Sequence, residues 1–234
     1  MVNSYIALDI ETTGLSVKED RIIEIGAAKI IDGQLKESYI TLVDPKMVLP
    51  ERIIELTGIR NEDLAGEKSC VQAVSELIDF CEDYVLLGHN IIFDYSFIKA
   101  CAINNKMKFE KQGIDTLKIS RAVLPELENR SLSYLKEYFK IEQEYSHRAY
   151  YDAIAASMLY KKLADRFYDG NEDLFKPKTL IFTPKKQSPI TPKQIKFLND
   201  LLIKNNITID KEIESLTKNE ASRIIDKILS GQFI

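Results

Sequence analysis

Two acidic residues close to the N-terminus are the first that could do chemistry. Residues 5–10 form an apolar run broken only at Asp9, which is typical of a strand buried on both faces, and Glu11 follows. Because side chains alternate along a strand, Asp9 and Glu11 point the same way. A hard divalent cation is the partner that best neutralises two such carboxylates. Taken alone, the pair still favours the simpler interpretation of strand-end acids that face solvent.

A second segment combines a sharp turn with another acid. Gly88-His89-Asn90 follows the short apolar run 84–87 and precedes a helical pattern over 93–104, so the glycine and asparagine serve a strand-to-helix turn. Asp94 then lies in the first helical turn, where acids also commonly complement the helix dipole. His89 is more typical of a hydrogen-bonding turn residue than of a catalyst.

A third segment supplies a group that can exchange protons near neutral pH. Asp152 begins a segment whose apolar residues recur at helical spacing, which predicts a helix over 152–168. His147 lies five residues earlier and is therefore expected on the loop that enters this helix. The chain has only two histidines, so His89 and His147 are the candidates for a general base.

Together these segments resemble the DEDDh branch of the DEDD superfamily of 3′-to-5′ exonucleases, which includes the epsilon proofreading subunit of DNA polymerase III and the exonuclease domains of other replicative polymerases. The resemblance covers residues 4–168, and the His-x4-Asp spacing fits the histidine branch; Tyr151 stands at the wrong spacing for the tyrosine branch. Segments 21–27, 49–59 and 115–117 also resemble the family. The residues that carry it are Asp9, Glu11, Asp94, His147 and Asp152.

The resemblance implies phosphodiester hydrolysis with two divalent cations, Mg²⁺ or Mn²⁺. It implies that Asp9 contacts both cations, that Glu11 and Asp152 complete one cation site, and that Asp94 anchors the other. It also implies that His147 takes the proton of the attacking water. From the residues themselves, only the convergence of these groups on a cation is expected.

Substrate contacts are implied by the resemblance as well. In similar proteins the stretch after the two acids binds the terminal nucleotide and carries an apolar side chain between the last bases, which here points to Thr12, Thr13 and Leu15. Thr57 and Phe93 match positions that contact the terminal sugar or base, and aromatic stacking on bases tolerates any sequence. Core packing is the alternative for Leu15 and Phe93.

Composition is consistent with a nucleic-acid enzyme that makes few contacts. The net charge is −4, but residues 176–234 carry 11 basic and 6 acidic side chains, and phosphate attraction follows local basic contacts. The three cysteines are odd in number and lack metal-like spacing, which predicts reduced, mostly buried thiols of a cytoplasmic protein. No secretory leader and no membrane span are expected.

The order of elements predicts an α/β fold with a ribonuclease H-like mixed sheet flanked by helices. Asp32-Gly33 is a hairpin signal between early antiparallel strands, and later strands alternate with helices, as in parallel sheets. The predicted strands are 4–10, 21–31, 35–43, 84–88 and 113–116, and the predicted helices are 50–56, 70–82, 93–104, 116–123, 131–138 and 152–168.

Three regions are expected along the chain. An exonuclease domain spans 1–170, a linker with several prolines and lysines spans 171–190, and a small helical module of unknown role spans 191–234. Residues 179–183 could form a short docking strand. In the module, Thr191-Pro192 begins one helix, and the capping-box pattern over 217–220 begins a second.

Three functions compete on the sequence alone. The first is a 3′-to-5′ exonuclease on single-stranded 3′ ends of DNA, in proofreading or repair, with a DNA polymerase as candidate partner. The second is the same chemistry on RNA. The third is a non-catalytic adaptor that binds ends or a polymerase, which the retention of all five catalytic-type residues disfavours, because a cluster of like charges is costly.

Overall fold

The computed structural model describes residues 1–142, 147–183, 188–209 and 212–231. The chain divides into two compact units, Met1–Pro184 and Lys185–Ile234. None of the helices in these described ranges combines the length and the apolar character of a membrane span.

The first unit is built on a six-stranded mixed sheet. In the order β3-β2-β1-β4-β5-β6, its strands are Gln34–Leu42, Ile22–Ile31, Tyr5–Thr12, Leu86–Gly88, Gln112–Asp115 and Lys178–Thr179. β1, β2 and β3 form an antiparallel meander, whereas β4 pairs parallel to both β1 and β5. Asp32 and Gly33 have φ values of 50° and 76°, so the predicted hairpin turn uses the left-handed conformation that glycine favours.

Helices cover both faces of this sheet, because the side chains of β1 alternate between two apolar clusters. In chain order the helices of this unit are α1 Glu51–Thr57, α2 Asn61–Leu64, α3 Cys70–Cys81, α4 Ile92–Asn104, α5 Thr116–Val123, α6 Leu132–Phe139 and α7 Ala149–Phe167. Ile6 and Leu8 pack with residues of α3 and α4, whereas Tyr5 and Ala7 pack with residues of α5 and α7.

The structure corrects several expectations about local structure. The strand predicted at 84–88 begins only at Leu86, and the last helix begins at Ala149, so Asp152 lies in its first turn and does not start it. The helix α2 was not predicted. All three cysteines are free, as expected, but only Cys81 is buried, and the other two are half-buried.

Much of the segment predicted as a linker, 171–190, packs against the first unit. A 3₁₀ turn at Glu172–Phe175 buries the Phe175 ring, and Leu180 joins the core. The docking strand expected at 179–183 is instead the two-residue strand Lys178–Thr179, which pairs antiparallel with β5. Burial of the apolar side chains of Phe175 and Leu180 accounts for the difference.

In its described residues, the second unit contains two α-helices and a 3₁₀ turn at Ile213–Ser215, with their own small core. α8 spans Pro192–Asn205 and α9 spans Lys218–Leu229, and each begins with the capping box that its sequence indicates, at Thr191 and Thr217. Its buried side chains are Ile190, Leu198, Leu201, Leu202, Leu216, Ala221, Ile225 and Ile228.

Candidate active site

Five side chains from three separate segments of the sequence line one open cavity of about 280 Å³. Three of them can offer carboxylate oxygens that all lie within 4.8 Å of one another, namely Asp9, Glu11 and Asp152. Asp94 is not one of that close group but lines the same cavity, as does His147. The fold therefore brings together all five residues that the sequence singled out.

Strand β1 presents the first two acids at its carboxyl end. Asp9 pairs with Gly26 and Glu11 with Glu24 of β2, and the register shifts between Glu11 and Thr12. The pairing of β1 with β2 is therefore irregular where the acids reach the cavity, since a register shift bends the strand locally and increases its twist.

Asp94 is held directly against β1. It lies in the first turn of α4 and is only 3% exposed, and its Oδ1 accepts a hydrogen bond of 3.0 Å from the backbone N–H of Ile10. Because that amide lies between the two acids of β1, the hydrogen bond fixes the Asp94 carboxylate relative to both.

Asp152 lies in the first turn of α7, and His147 lies just before this helix. The backbone N–H of His147 donates to Asp152 Oδ2 at 3.1 Å, and His147 has a φ of 58°. The helix start approaches β2 so closely that a Cβ at Gly26 would lie 2.0 Å from the backbone nitrogen of Tyr150. Gly26 is therefore the residue that lets Asp152 approach Asp9.

Glu24 is a site residue that the sequence analysis assigned no role. It is 1% exposed and accepts hydrogen bonds from Arg148 Nε and Nη2 and from the backbone N–H of Ala149, at 2.7 to 3.2 Å. Glu24 thus anchors the start of α7 to β2 through a bidentate ion pair. An acid inside the apolar run Ile22-Ile23-Glu24-Ile25 was the signal that could have identified it.

The carboxylates raise one another's pKa. Burial, followed by the charges of Asp94, Glu11 and Asp152, raises the pKa of Asp9 well above its ordinary range. Burial and the charges of Asp152 and Glu24 raise the pKa of Glu11 to about 8. Burial also raises the pKa of Asp94 well above its ordinary range. Such a cluster of negative charge calls for a positive partner.

His89 lines the cavity, but both of its ring nitrogens are engaged. Nε2 lies 2.8 Å from the carbonyl oxygen of Arg130, which can only accept, so Nε2 carries the proton. Nδ1 lies 2.9 Å from Thr116 Oγ1. Burial lowers the pKa of His89. These contacts match the turn role expected for His89 and leave His147 as the histidine suited to proton transfer.

The residues expected to contact substrate differ in their surroundings. Leu15 is 81% exposed, which excludes core packing, and Phe93 lines the cavity while it also packs on the core. The three threonine hydroxyls bond within the protein: Thr12 donates to Gly14 O, Thr13 to Asp20, and Thr57 to Ile53 O. Contacts of these threonines with a nucleotide would therefore come from other atoms or need a hydroxyl to change its partner.

The residues present fit a divalent cation. Three carboxylates within 4.8 Å provide only oxygen donors, which Mg²⁺ and Mn²⁺ prefer, and their raised pKa values reflect charge that a cation would compensate. Asp94, across the same cavity, offers a further carboxylate oxygen.

Comparison with known proteins agrees with this geometry. The model of a protein family described as exonuclease matches residues 6–160, a range that contains all five site residues. The chain belongs to the exonuclease family. The expected resemblance to an exonuclease family and the expectation of a nuclease enzyme are thereby confirmed.

Several relatives of this chain are PolC-type DNA polymerases III of bacteria. The chain is 32% identical over 218 residues to the PolC-type DNA polymerase III of Clostridium perfringens, and 38% identical over 160 residues to that of Latilactobacillus sakei. These matches cover 92% and 68% of this chain but only 15% and 11% of those relatives. The chain therefore corresponds to a small part of each polymerase.

Solved exonuclease structures share the fold. Exonuclease X in complex with 5′-overhanging duplex DNA has a TM-score of 0.57 at 20% identity, over 74% of this chain and 96% of that one. Escherichia coli exonuclease I in complex with a dA16 oligonucleotide has a TM-score of 0.64 at 18% identity, over 72% and 42%. The nuclease domain of 3′hExo, a DEDDh family member bound to rAMP, has a TM-score of 0.62 at 16% identity, over 76% and 98%. The predicted mixed sheet flanked by helices is confirmed.

Proposed function

We propose that this exonuclease removes nucleotides from 3′ ends of DNA by a reaction that depends on two divalent cations. The observation that carries the proposal is the convergence of Asp9, Glu11 and Asp152 within 4.8 Å, with Asp94 and His147 on the same cavity. An adaptor that only bound DNA ends would gain nothing from the repulsion within this partly buried group of carboxylates.

Asp9, Glu11, Asp94 and Asp152 would hold the cations, with Asp9 shared between them. Mg²⁺ or Mn²⁺, when bound there, supplies Lewis acidity for the attacking water and for the leaving 3′-oxygen. The other site residues position the substrate or exchange protons. His147 lies on the cavity beside Asp152 and would accept the proton of the attacking water, since His89 is engaged through both ring nitrogens.

Phe93 and Leu15 are the side chains that we assign to the bases of the substrate. Phe93 lines the cavity next to Asp94, and Leu15 is an exposed apolar side chain four residues beyond Glu11. Stacking and apolar contact do not depend on base identity, so they suit an enzyme that removes any terminal nucleotide. Thr12, Thr13 and Thr57 would contact the terminal nucleotide mainly through their backbone.

DNA is the favoured substrate because the relatives are DNA polymerases. The PolC-type chains of Clostridium perfringens and Latilactobacillus sakei are much longer than this one. The carboxylate cluster lies within residues 6–160, the range that matches the exonuclease family. We therefore propose proofreading or repair of DNA in the cytoplasm, with a DNA polymerase as partner. A mismatched 3′ end, which frays to single strand, would be degraded faster than a paired one.

RNA is the second candidate substrate. The observation that favours it is the structural likeness to the nuclease domain of 3′hExo, which was solved bound to rAMP. The same carboxylate cluster would serve both substrates, because a phosphodiester bond is the reacting group in each.

Degradation of matched 5′-labelled single-stranded DNA and RNA oligonucleotides tests the proposal. The expected result is a ladder that shortens from the 3′ end with Mg²⁺ or Mn²⁺ and not with chelator, faster on DNA. Faster cleavage of RNA would move the assignment to the second candidate. If folded protein with cation present cleaved neither strand, the adaptor hypothesis would replace both.

A pair of aspartate variants separates chemistry from folding. Asp9→Asn should lower the rate by about a hundredfold or more, because it removes a ligand proposed for both cations. Asp79→Asn, on the exposed face of α3, should leave the rate unchanged. Equal rates for Asp9→Asn and the unmodified chain would place the chemistry elsewhere.

A further inference from the structure

A lysine side chain lies beside the carboxylate cluster, and the proposed chemistry gives it no part. Lys136 belongs to α6, and its side chain is only 9% exposed. Its Nζ lies 3.6 Å from Asp152 Oδ1. A buried ammonium is costly unless it is paired, and the contact with Asp152 offsets part of that cost.

The two oxygens of Asp152 are engaged by different groups. Oδ2 accepts the hydrogen bond from the backbone N–H of His147, whereas Oδ1 faces Lys136. The backbone amide of His147 orients the carboxylate from the Oδ2 side, and Lys136 places a positive charge beside Oδ1. Lys136 contributes mainly a positive charge at a carboxylate that also belongs to the group within 4.8 Å.

The positive charge of Lys136 has two effects on the site. It offsets part of the repulsion among Asp9, Glu11 and Asp152, which stabilises the folded chain in the absence of divalent cation. It also repels any cation that approaches Asp152 and competes for the same oxygen, since like charges a few ångströms apart interact strongly where water is partly excluded.

We propose that the Lys136 ammonium is a resident cation that sets the divalent-cation affinity of the site, by neutralising Asp152 and opposing tight cation binding there. The inference rests on the proposed function in that it requires a divalent cation at Asp9, Glu11 and Asp152. Because the affinity is lower, the fraction of sites that hold a divalent cation follows the free cation concentration. At low concentration this fraction is smaller than it would be for the carboxylates alone.

Removal of the charge should therefore tighten cation binding while it destabilises the cation-free chain. Lys136→Met keeps most of the aliphatic length of the side chain and removes the charge. Isothermal titration of Mn²⁺ into the full chain, near neutral pH and without nucleic acid, should show binding about fivefold tighter or more for Lys136→Met. The melting temperature in chelator should fall in the same variant.

Two controls isolate the charge. Lys136→Arg keeps it and should bind Mn²⁺ within about twofold of the unmodified chain. Lys118→Met removes an exposed lysine that lies 4.0 Å from Asp115, a carboxylate outside the cluster, and should leave Mn²⁺ binding unchanged. Circular dichroism in chelator verifies folding, and Lys136→Gln replaces the methionine variant if that variant does not fold.

The results separate this inference from the proposed function. Mn²⁺ binding that is unchanged or weaker in folded Lys136→Met would overturn the role of Lys136 alone. An unmodified chain that bound no Mn²⁺ would contradict both the cation site and the inference. Tighter binding by Lys136→Met and by Lys118→Met alike would also overturn it, because the effect would then reflect net charge.

Discussion

Glu11 carries its negative charge in an environment that opposes ionisation. Burial and the carboxylates of Asp152 and Glu24 raise its pKa from 4.5 to about 8, and Arg148 offsets only part of this. A carboxyl group whose pKa is higher in the folded than in the unfolded chain costs no stability below the unfolded value. The cost grows as pH rises from 4.5 to about 8 and is constant above that range.

The variant Glu11→Gln should therefore stabilise the cation-free chain at high pH only. In chelator at pH 8 and above, the free energy of unfolding should rise by about 2 kcal/mol, less than the full pKa shift implies because solvent reaches part of the side chain. At pH 4.5 the variant and the unmodified chain should be equally stable. Urea unfolding across this pH range measures both. Glu55→Gln, on the exposed side of α1, is the control and should show no pH-dependent gain.

The two histidines should separate into a catalytic and a structural residue. His147→Ala should lower kcat far more than it raises KM, because the proposed proton acceptor acts only during the reaction. His89→Ala should lower the free energy of unfolding by about 1 to 3 kcal/mol, since it leaves buried partners without their hydrogen bonds.

Steady-state kinetics and urea unfolding of both histidine variants test this separation. If His147→Ala changed only stability, or if His89→Ala removed activity without a loss of stability, the assignment of the two roles would be wrong.

The packing of α7 on β2 is the element contact on which the site depends most. Asp152 reaches Asp9 because the helix start lies against Gly26, and Glu24 fixes the same helix start through Arg148. A side chain at position 26 cannot be accommodated by a rotamer change, because the atoms it would meet are backbone atoms of Ala149 and Tyr150. The helix itself would have to move.

Gly26→Ala should therefore reduce both activity and stability. Overpacking typically costs about 1 to 3 kcal/mol, and a shift of about 1 Å at the reacting groups can lower the rate about a hundredfold. The control is Gly33→Ala in the β2–β3 turn, where the added Cβ meets nothing within 4 Å but the φ of 76° is unfavourable for alanine. The control should lose stability and keep its rate. Equal rates for the two variants, at a temperature where both are folded, would contradict the dependence on Gly26.

Local patterns predicted the elements well because each pattern has a local cause. The helix predicted at 116–123 is observed as Thr116–Val123, since Asp115 caps it and a strand precedes it. The hairpin at Asp32-Gly33 follows from turn chemistry alone. The five site residues were identified because their motifs resemble a known family, and their convergence depends on the same elements.

Long-range contacts were not predictable in the same way. The Glu24–Arg148 pair joins residues 124 positions apart, and the Lys136–Asp152 contact joins two helices, so neither leaves a local pattern. The prolines of residues 171–190 indicated a linker, whereas burial of Phe175 and Leu180 decides the structure of residues 171–183. Burial of one side chain depends on the whole fold, which local sequence does not specify.

At the scale of the whole molecule, the two units have separate cores. In the described ranges, the apolar clusters of the first unit draw only on residues up to 182, and the cluster of the second unit draws on residues from 190 to 228. The carboxylate cluster and its cavity belong entirely to the first unit. We therefore expect the first unit to fold and react without the second.

A chain that ends at Pro184 should accordingly fold and hydrolyse on its own. Its rate on a short single-stranded oligonucleotide should stay within about twofold of the full chain, because no proposed ligand or proton acceptor is lost. The lysines of α8 and α9 are most simply a solvated surface, so the salt dependence of KM should also persist. If these lysines contacted phosphates, their loss would lower the slope of log KM against log salt concentration by about one for each contact. Thermal unfolding and kinetics at several salt concentrations measure these quantities. A truncated chain that failed to fold would show that the first unit relies on the second, and a lower slope with an unchanged kcat would assign nucleic-acid binding to the helical module.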